Sequence, residues 1–293
     1  MKPRALSLSV RVERWPIAGA FAISRGAKTE AVVVVAELSD GAHRGRGECV
    51  PYPRYGETVA QVMAAIETMA ADLARGLDRE GLQQAMHPGA ARNALDCAFW
   101  DLAAKRAARP VHELLGEPAP APLTTAYTIS LAAPQARLIV DANEGWNTDN
   151  LEENLAACAH AGVTLVEQPL PAEHDDALTQ VARPIAICAD ESAHASASLR
   201  ALAGRYDAVN IKLDKAGGLT EALAMARLAE ELGFALMVGC MVSTSLAMAP
   251  AMLLAQRARV VDLDGPLLLA HDRPNGLRYE GSLVHPPAAE LWG

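Results

Sequence analysis

The chain has 293 residues and a net charge of −9 at pH 7, with 21% charged and 51% hydrophobic residues. This length suits a large single barrel or a barrel with a smaller companion domain, and the composition is ordinary for a globular enzyme. No run of Lys or Arg occurs, which argues against nucleic acid as a partner because phosphate binding needs clustered positive charge. No 18-residue apolar stretch, signal-peptide core or CxxC pair is present either. We therefore expect a cytoplasmic protein with reduced cysteines and no membrane contact.

The first 120 residues predict an α+β domain. Alternating or β-branched runs at 6–14, 30–38 and 45–49 indicate a small antiparallel sheet. Helical patterns follow at 58–75, 78–86 and 89–108. A proline-rich stretch at 117–122 is typical of a linker.

From residue 121 onward the pattern changes to short apolar runs separated by amphipathic helices. The predicted strands are 124–131, 138–141, 163–167, 185–190, 208–212, 234–238 and 260–262. Strands that alternate with helices predict a parallel (β/α) barrel, here over 121–270. The last segment, 271–293, shows no such repeat, and we expect it to return to the N-terminal domain.

Three of these runs end in a carboxylate. Asp141, Glu167 and Asp190 stand 26 and 23 residues apart, the interval of one strand, one helix and two loops. Because strand C-termini converge at one mouth of a barrel, the three side chains should meet there. Carboxylate oxygens are the ligands that a hard divalent cation such as Mg²⁺ prefers, so the spacing predicts a metal site.

The next predicted strand ends in Lys212. A lysine beside a metal can lose its proton near neutral pH, through desolvation and the nearby positive charge, and could then act as a general acid or base. The alternative is a lysine that forms a salt bridge to a metal-ligand carboxylate. Lys215, three residues later, is interpreted as an exposed lysine at a helix entry.

One interval breaks the repeat. The starts of the first two predicted strands, 124 and 138, lie 14 residues apart, which leaves only 132–137 to connect them. A parallel crossover needs a dozen or more residues, so a helix–strand–helix piece of roughly 35 residues is missing by the local repeat. Either the chain is truly shorter by one unit, or the sequence omits a segment. We favour the second explanation, because a six-residue crossover is hard to reconcile with an ordered fold.

The motifs resemble the enolase superfamily, in its muconate-lactonizing subgroup. They are Asp-Ala-Asn at 141–143, Glu-Gln-Pro at 167–169, Ala-Asp-Glu-Ser at 189–192 and Asn-Ile-Lys at 210–212. The resemblance spans the chain and implies a capping domain, with 47–57 as a substrate-covering loop. Within the subgroup, Asp262-Leu-Asp264 followed by Gly-Pro is similar to the dipeptide epimerases that act on L-Ala-D/L-Glu.

The resemblance implies a role for each site residue. Asp141, Glu167 and Asp190 would ligate Mg²⁺, which would stabilise the enediolate formed when the substrate α-carbon loses its proton. Lys212 would be the acid/base on one face. The substrate-binding residues would be Asp262 and Asp264 for the dipeptide ammonium and Arg25 for a Glu side chain, with Asn143 and Glu191 orienting the ligands and the lysine.

These assignments have open alternatives. Asp262 and Asp264 could be turn residues at a strand end, and Arg25 could be a surface arginine. The family's second base comes from a Lys-x-Lys motif, yet no lysine lies between Lys105 and Lys212. Another member of the subgroup, such as a cycloisomerase or an N-acylamino acid racemase, is an alternative that the Asp262/Asp264 pair argues against, and the missing lysine leaves open a catalytically impaired relative that binds metal and dipeptide. The sequence leaves a homo-oligomer open.

Overall fold

The computed structural model describes residues 5–23, 26–127 and 138–293. Its N-terminal part begins with the predicted antiparallel sheet, in the order β1 (Ser7–Ile23), β2 (Gly26–Ser39) and β3 (Arg44–Cys49). The β2 run 33–35 is fully buried, since Val34 packs towards the helices of this part while Val33 and Val35 belong to a core shared with the barrel strands. A β-branched run without polar alternation is therefore the expected pattern for a strand covered on both faces.

Helices cover one face of this sheet. They are α1 (Val59–Thr68), α2 (Ala70–Arg75), α3 (Arg79–Ala85), α4 (Ala90–Ala107) and α5 (Val111–Leu115). Thr58 caps α1 in a capping box with Gln61, and the helix predicted over 58–75 is divided in two at Met69. Strand β3 lies directly on α4, because a Cβ atom at Gly45 or Gly47 would stand within 2.2 Å of a backbone oxygen of that helix.

Six parallel strands form the main sheet, in the order β10–β9–β8–β7–β6–β5. They are β5 (Leu138–Asp141), β6 (Val163–Glu167), β7 (Ala186–Ala189), β8 (Ala208–Ile211), β9 (Ala235–Val238) and β10 (Val260–Val261). The helices among and after them are α6 (Leu151–His160), α7 (Ser196–Leu202), α8 (Leu213–Ala216), α9 (Leu219–Glu231) and α10 (Ser245–Ala255). Six of the seven predicted barrel strands are thus confirmed, each to within one residue at either end.

Of the strand predicted over 124–131, the structure describes only 124–127. Within these residues, β4 (Leu123–Thr124) pairs antiparallel with β12 (Leu283–Val284), which in turn pairs with β11 (Tyr279–Glu280), and this pairing was not predicted. The chain then passes the last barrel strand, where Ala126 N donates to Val261 O at 2.7 Å. Residues 128–131 of the predicted strand and the short connection at 132–137 lie outside the described residues, so the barrel strand there stays a prediction.

The C-terminal segment contacts the N-terminal part. Trp292 is buried and donates its Nε1–H to Cys97 O at 3.0 Å, and Gly293 N donates to Asp101 Oδ1 at 2.9 Å. Earlier in this segment, Ala270 N donates to Pro16 O at 2.8 Å. These bonds attach the end of the chain to α4 and β1, while the domain boundaries at 120 and 270 stay predictions.

Within the described ranges, no helix combines the length and the apolar character that crossing a bilayer requires.

Candidate active site

A cavity of about 550 Å³ lies between the C-terminal ends of the parallel strands and the N-terminal sheet with its following loop. The strand ends contribute mostly carboxylates, and the opposite wall contributes Lys28, Tyr52 and Tyr55. The described acidic lining residues are Glu30, Asp141, Glu167, Asp190, Glu191, Asp262 and Asp264. Glu30 and Lys28 belong to β2 on the opposite wall, whereas the other six described carboxylates share the barrel end with Lys212, so this end of the cavity is strongly anionic.

The three predicted metal ligands come together in this cavity. Asp141 and Glu167 are directly paired at the ends of β5 and β6, and Asp190 follows β7, the next strand in the sheet. Asn210 of β8 donates its Nδ2–H to Glu167 Oε1 at 2.6 Å. Burial and the negative charges of Asp141 and Asp190 raise the pKa of Glu167 well above its usual range. Like charges on adjacent strands favour a cation among them.

In the described structure, a lysine ammonium lies among these carboxylates. Lys212 Nζ is 2.7 Å from Asp190 Oδ2 and 3.8 Å from Glu167 Oε1. No group of three or more His, Cys, Asp or Glu side chains in the described part of the chain forms a ready-made metal cluster. Asp141, Glu167 and Asp190 supply carboxylate oxygens, the ligands that Mg²⁺ prefers, and in this structure they lie around Lys212.

The expected lowering of the Lys212 pKa is not seen in the protein alone. Burial disfavours the ammonium, but the charges of Asp190, Glu167 and Asp141 outweigh it and raise the pKa of Lys212 well above its ordinary value. The same attraction acts on Asp190, where Lys212 and Lys215 outweigh burial and hold the pKa of the carboxyl well below its usual range. The structure thus shows the salt bridge of the alternative interpretation, between Lys212 and the predicted ligand Asp190.

The prediction for Lys215 was wrong. This side chain is 1% exposed, and its Nζ donates to Asp190 Oδ1, to Asp190 O and, at 3.1 Å, to Asn210 O. The short helix α8 turns the chain back towards β7 directly after Lys212, which carries Lys215 under the sheet end instead of into solvent. Its position in the helix entry gave no signal of this burial.

The other predicted residues are placed as follows. Asp262 and Asp264 line the cavity after β10, and Asp262 Oδ1 is buried with no hydrogen-bond partner among the described residues. Burial and the charge of Asp264 raise the pKa of Asp262 to about 7. Asn143 donates its backbone N–H to Asp141 Oδ1 at 2.8 Å, and Glu191 is buried in the cavity wall. Arg25 lies outside the described residues.

Gln168 is a further residue that holds the site together, and its role was not predicted. Its Oε1 accepts from Asp190 N at 2.9 Å and Ser192 N at 3.1 Å, while its Nε2 donates to Ser192 Oγ and Tyr206 OH, both at 2.9 Å. It thereby fixes the backbone at the predicted ligand Asp190. The available signal was the Glu-Gln-Pro motif itself, in which a buried amide follows a strand end.

The cover over the cavity is the loop after β3, which carries Tyr52 and Tyr55. Within it, Arg54 forms a two-bond salt bridge to Glu144, with both N–O distances at 2.7 Å, and reaches Glu173 at 2.9 Å. Glu144 follows β5 and also accepts from Ala172 N at 2.9 Å. Arg54 therefore connects the cover loop to the loops after β5 and β6, the strands that end in Asp141 and Glu167.

The two-part architecture and this strand-end site match one known superfamily along nearly the whole chain. Residues 124–289 match the profile of the enolase C-terminal domain-like family, and residues 5–116 match the mandelate racemase/muconate lactonizing enzyme N-terminal domain. The chain belongs to the enolase superfamily. The resemblance drawn from the four sequence motifs is thereby confirmed, as is the fold class.

Two characterised relatives share more than 40% of the aligned residues with this enolase-superfamily chain. The L-Ala-D/L-Glu epimerase of Escherichia coli (strain K12) is 43% identical, over 95% of this chain and 99% of that protein. The N-acetyl-D-glutamate racemase of a Pseudoalteromonas species is 41% identical, over 89% and 95%.

Solved structures agree with this relationship. An enolase family member from Agrobacterium tumefaciens, described as homologous to dipeptide epimerases and holding sodium and L-Ala-L-Glu, superimposes with a TM-score of 0.96 at 52% identity, over 98% of this chain and 100% of that one. A dipeptide epimerase from Methylococcus capsulatus, complexed with Mg and L-Arg-D-Lys, gives 0.87 at 27% identity, over 96% and 97%.

The alignment lengths bear on the broken repeat. The match to the Escherichia coli protein runs over 318 positions, more than the 293 residues of this chain. With 95% of the chain aligned, about 40 of these positions have no residue of this chain opposite them. That number is close to the roughly 35 residues that the strand spacing marks as missing.

Proposed function

We propose that the protein catalyses the Mg²⁺-dependent epimerisation of a dipeptide of the L-Ala-D/L-Glu type, by removing the proton α to the substrate's carboxylate. The observation that carries the proposal is that three strand-end carboxylates, Lys212 and the Asp262/Asp264 pair all line the same cavity. Relatives named for this reaction at 43% identity, and a neighbour holding L-Ala-L-Glu, support the substrate class.

Asp141, Glu167 and Asp190 would hold the magnesium. They offer oxygen ligands on three adjacent strands, and Glu167 has a pKa raised by burial and by the other two charges, which a divalent cation would relieve. The metal would supply positive charge to the substrate carboxylate and so stabilise negative charge that develops at the α-carbon. Asn210, Asn143 and Gln168 keep the ligands and their backbone in place through the bonds described above.

Lys212 would move the α-proton on one face of the substrate. Its ammonium is drawn to Asp190 and Glu167, and a divalent cation on the same carboxylates would weaken the attraction that raises its pKa. That change is in the direction a general base requires.

Asp262 and Asp264 would bind the free ammonium group of the dipeptide. Asp262 Oδ1 is a buried acceptor with no partner among the described residues, so an incoming N–H donor satisfies it. At the opposite wall, Lys28 supplies a cation that suits an acidic side chain of the substrate, and we assign Arg25 the same task.

A second candidate function is racemisation of an N-acylamino acid, favoured by the 41% identity to N-acetyl-D-glutamate racemase. An N-acylated substrate has no ammonium to donate to Asp262 Oδ1, a buried acceptor with no hydrogen-bond partner among the described residues. The aspartate pair therefore favours the dipeptide.

Epimerisation needs a second acid or base on the opposite face, and the chain has no lysine between Lys105 and Lys212. With Lys212 alone, the protein would exchange the proton of one epimer with solvent and return it to the same face. The resemblance places the second lysine in the strand unit that is absent between the runs at 124–131 and 138–141, so a chain that is truly one unit shorter would bind and exchange without epimerising.

One experiment separates these outcomes. The purified protein is incubated with Mg²⁺ in D₂O, in parallel with L-Ala-L-Glu, L-Ala-D-Glu and N-acetyl-L-Glu, and each is followed by proton NMR and chiral chromatography. Exchange with formation of the other dipeptide epimer supports the proposal. Exchange of one epimer without conversion supports the shortened-site alternative, turnover of N-acetyl-Glu alone supports the racemase, and no exchange with any substrate rejects all three.

An intact mass of that preparation is the matched control. A mass near 30.9 kDa means that the chain tested is the shortened one.

The cytoplasmic location and a homo-oligomeric assembly stay predictions, to be checked by fractionation and by light scattering.

A further inference from the structure

Lys215 is the most deeply buried cation near the site, and it has no place in the proposed chemistry. It belongs to α8, directly after the strand that carries Lys212, and its side chain has no exposed surface. By contrast, the Lys212 side chain retains 12% exposure and lines the cavity. Lys215 is not among the described residues that line this cavity, so any effect on the site would pass through Asp190, which it contacts on the side away from the cavity.

The three hydrogens of its ammonium all find acceptors. Two bonds go to Asp190, one to the side-chain Oδ1 and one to the backbone O, and the third goes to Asn210 O at 3.1 Å. A lysine ammonium has three donors, so its hydrogen-bonding capacity is fully used. A buried charge satisfied in this way is fixed in position, because any movement would leave donors without partners.

The bonds from Lys215 restrict the orientation of the Asp190 carboxylate. Its Oδ1 is bound to Lys215 from behind, while its Oδ2 points to Lys212 at the cavity side, 2.7 Å away. The carboxylate can therefore present one oxygen to the cavity. The bonds from Lys215 to Asp190 O and Asn210 O also join the ends of β7 and β8, which carry Asp190 and lead into Lys212.

We propose that Lys215 is a positioning residue that holds Asp190 as a one-oxygen metal ligand and sets its distance from Lys212. This inference rests on the proposed function, because it takes Asp190 to bind the metal. It goes beyond that function in assigning a role to a buried lysine that touches neither the cavity nor the substrate.

The first test is calorimetry of Mg²⁺ binding to the complete protein without substrate. We compare the wild type with K215M, which keeps the length and apolar stem but removes the charge, and with K215R, which keeps the charge and several donors. The control is R227A, at an exposed position on α9. We expect K215M to bind Mg²⁺ about 10- to 100-fold more weakly, as is usual for partners of metal ligands, with partial recovery in K215R and no change in R227A.

The results discriminate between the inference and the proposed function. Equal Mg²⁺ affinity of K215M and the wild type would overturn the role of Lys215. A wild type that binds no Mg²⁺ would instead overturn the metal site itself.

A second test uses urea unfolding with EDTA present, so that it does not depend on the metal. D190N leaves the Lys215 charge buried without its counter-charge, and adding K215M removes that charge. We expect D190N/K215M to unfold at a higher urea concentration than D190N alone. If the two substitutions lower the midpoint additively, Lys215 and Asp190 do not act as a pair. This comparison still decides the question if K215M alone folds poorly.

Discussion

Buried carboxylates are neutralised in two different ways in this molecule. At the barrel mouth, Asp190 is bound by Lys212 and Lys215, which both come from the same few residues after β8. At the seam between the N-terminal sheet and the barrel, Glu48 of β3 accepts from Thr244 N at 2.9 Å and from Arg273 Nε at 3.0 Å. The first arrangement joins residues 22 and 25 positions apart, whereas the second joins residues 225 positions apart.

The contrast separates chemistry from assembly. The mouth carries an excess of negative charge, which the proposed binding of a cation and a substrate ammonium there requires. At the seam no ligand is proposed, and the buried Glu48 is paired with Arg273, because an unpaired buried charge destabilises the fold. Changes at the cavity-facing Lys212 should therefore alter turnover more than stability, and changes at the Glu48–Arg273 pair should do the reverse.

The largest expected effect is that of K212A on turnover. Removing the proposed acid/base should lower the rate of α-proton exchange by about 10²- to 10⁴-fold for the one epimer, L-Ala-L-Glu or L-Ala-D-Glu, whose α-proton faces Lys212, the usual contribution of a positioned acid or base. The measurement is deuterium incorporation by NMR at saturating Mg²⁺. R227A, which removes an exposed cation from α9, should exchange at the wild-type rate. Exchange of both epimers in K212A within threefold of wild type would remove Lys212 from the mechanism.

At the seam, R273M should be the most destabilising single change. It removes the partner of Glu48, a fully buried carboxylate, and of Glu13, and we expect a loss of about 3–5 kcal/mol in the free energy of unfolding. Burial already raises the pKa of Glu48, so the loss should be smaller at pH 5 than at pH 8, where the stranded carboxylate must stay charged.

Urea unfolding at the two pH values measures this difference. The matched control is R257M, which breaks a solvent-exposed pair with Glu230 and should change stability by less than about 1 kcal/mol. If R273M and R257M cost the same, the seam does not depend on this buried pair.

Asp214 gives the seam a defined pH dependence. This buried carboxyl on α8 accepts only from neutral donors, Val50 N and Asn93 Nδ2, both at 2.9 Å, and burial raises its pKa to about 7. The folded state therefore holds this proton more tightly than the unfolded state, where the pKa is about 3.9. Its stabilising contribution is complete below about pH 4 and is lost as the pH rises to about 7.

D214N should remove that dependence. Between pH 4 and 7 the stability of D214N relative to wild type should rise by up to about 1.4 kcal/mol per pH unit, and then stay level above pH 7. Parallel urea titrations at four pH values test this, with E67Q at an exposed position of α1 as the control. A constant difference across the range would show that Asp214 does not titrate near 7.

The sequence predicted what is local and periodic. Strand ends with carboxylates, such as Asp141 and Glu167, follow directly from the βα interval, and the buried run in β2 follows from its β-branched residues. Lys215 could not be placed, because four residues of helix after β8 decide whether it faces solvent or the strand ends. The pairing of β4 was missed for a related reason, since its partner β12 lies far away in the sequence and an apolar run carries no information on its neighbours.

The smallest effect is expected at the cover loop, where Arg54 contacts Glu144 and Glu173. The pair with Glu144 is geometrically good but partly exposed, with 27% of the arginine side chain accessible, so we expect its loss to cost about 1 kcal/mol. Because Arg54 holds the loop that carries Tyr52 and Tyr55 over the cavity, this cost should fall on substrate binding. R54M should raise KM about fivefold and leave kcat within twofold.

R54K is the informative companion of R54M. A lysine keeps the charge but cannot make the two parallel bonds to Glu144, so it should recover only part of the KM. A fall in kcat with unchanged KM in R54M would mean that the loop acts on the barrel end of the cavity and not on substrate capture. The cover loop and the barrel mouth would then not act as separate parts, because Glu144 follows β5 of the mouth and pairs with Arg54 of the cover loop.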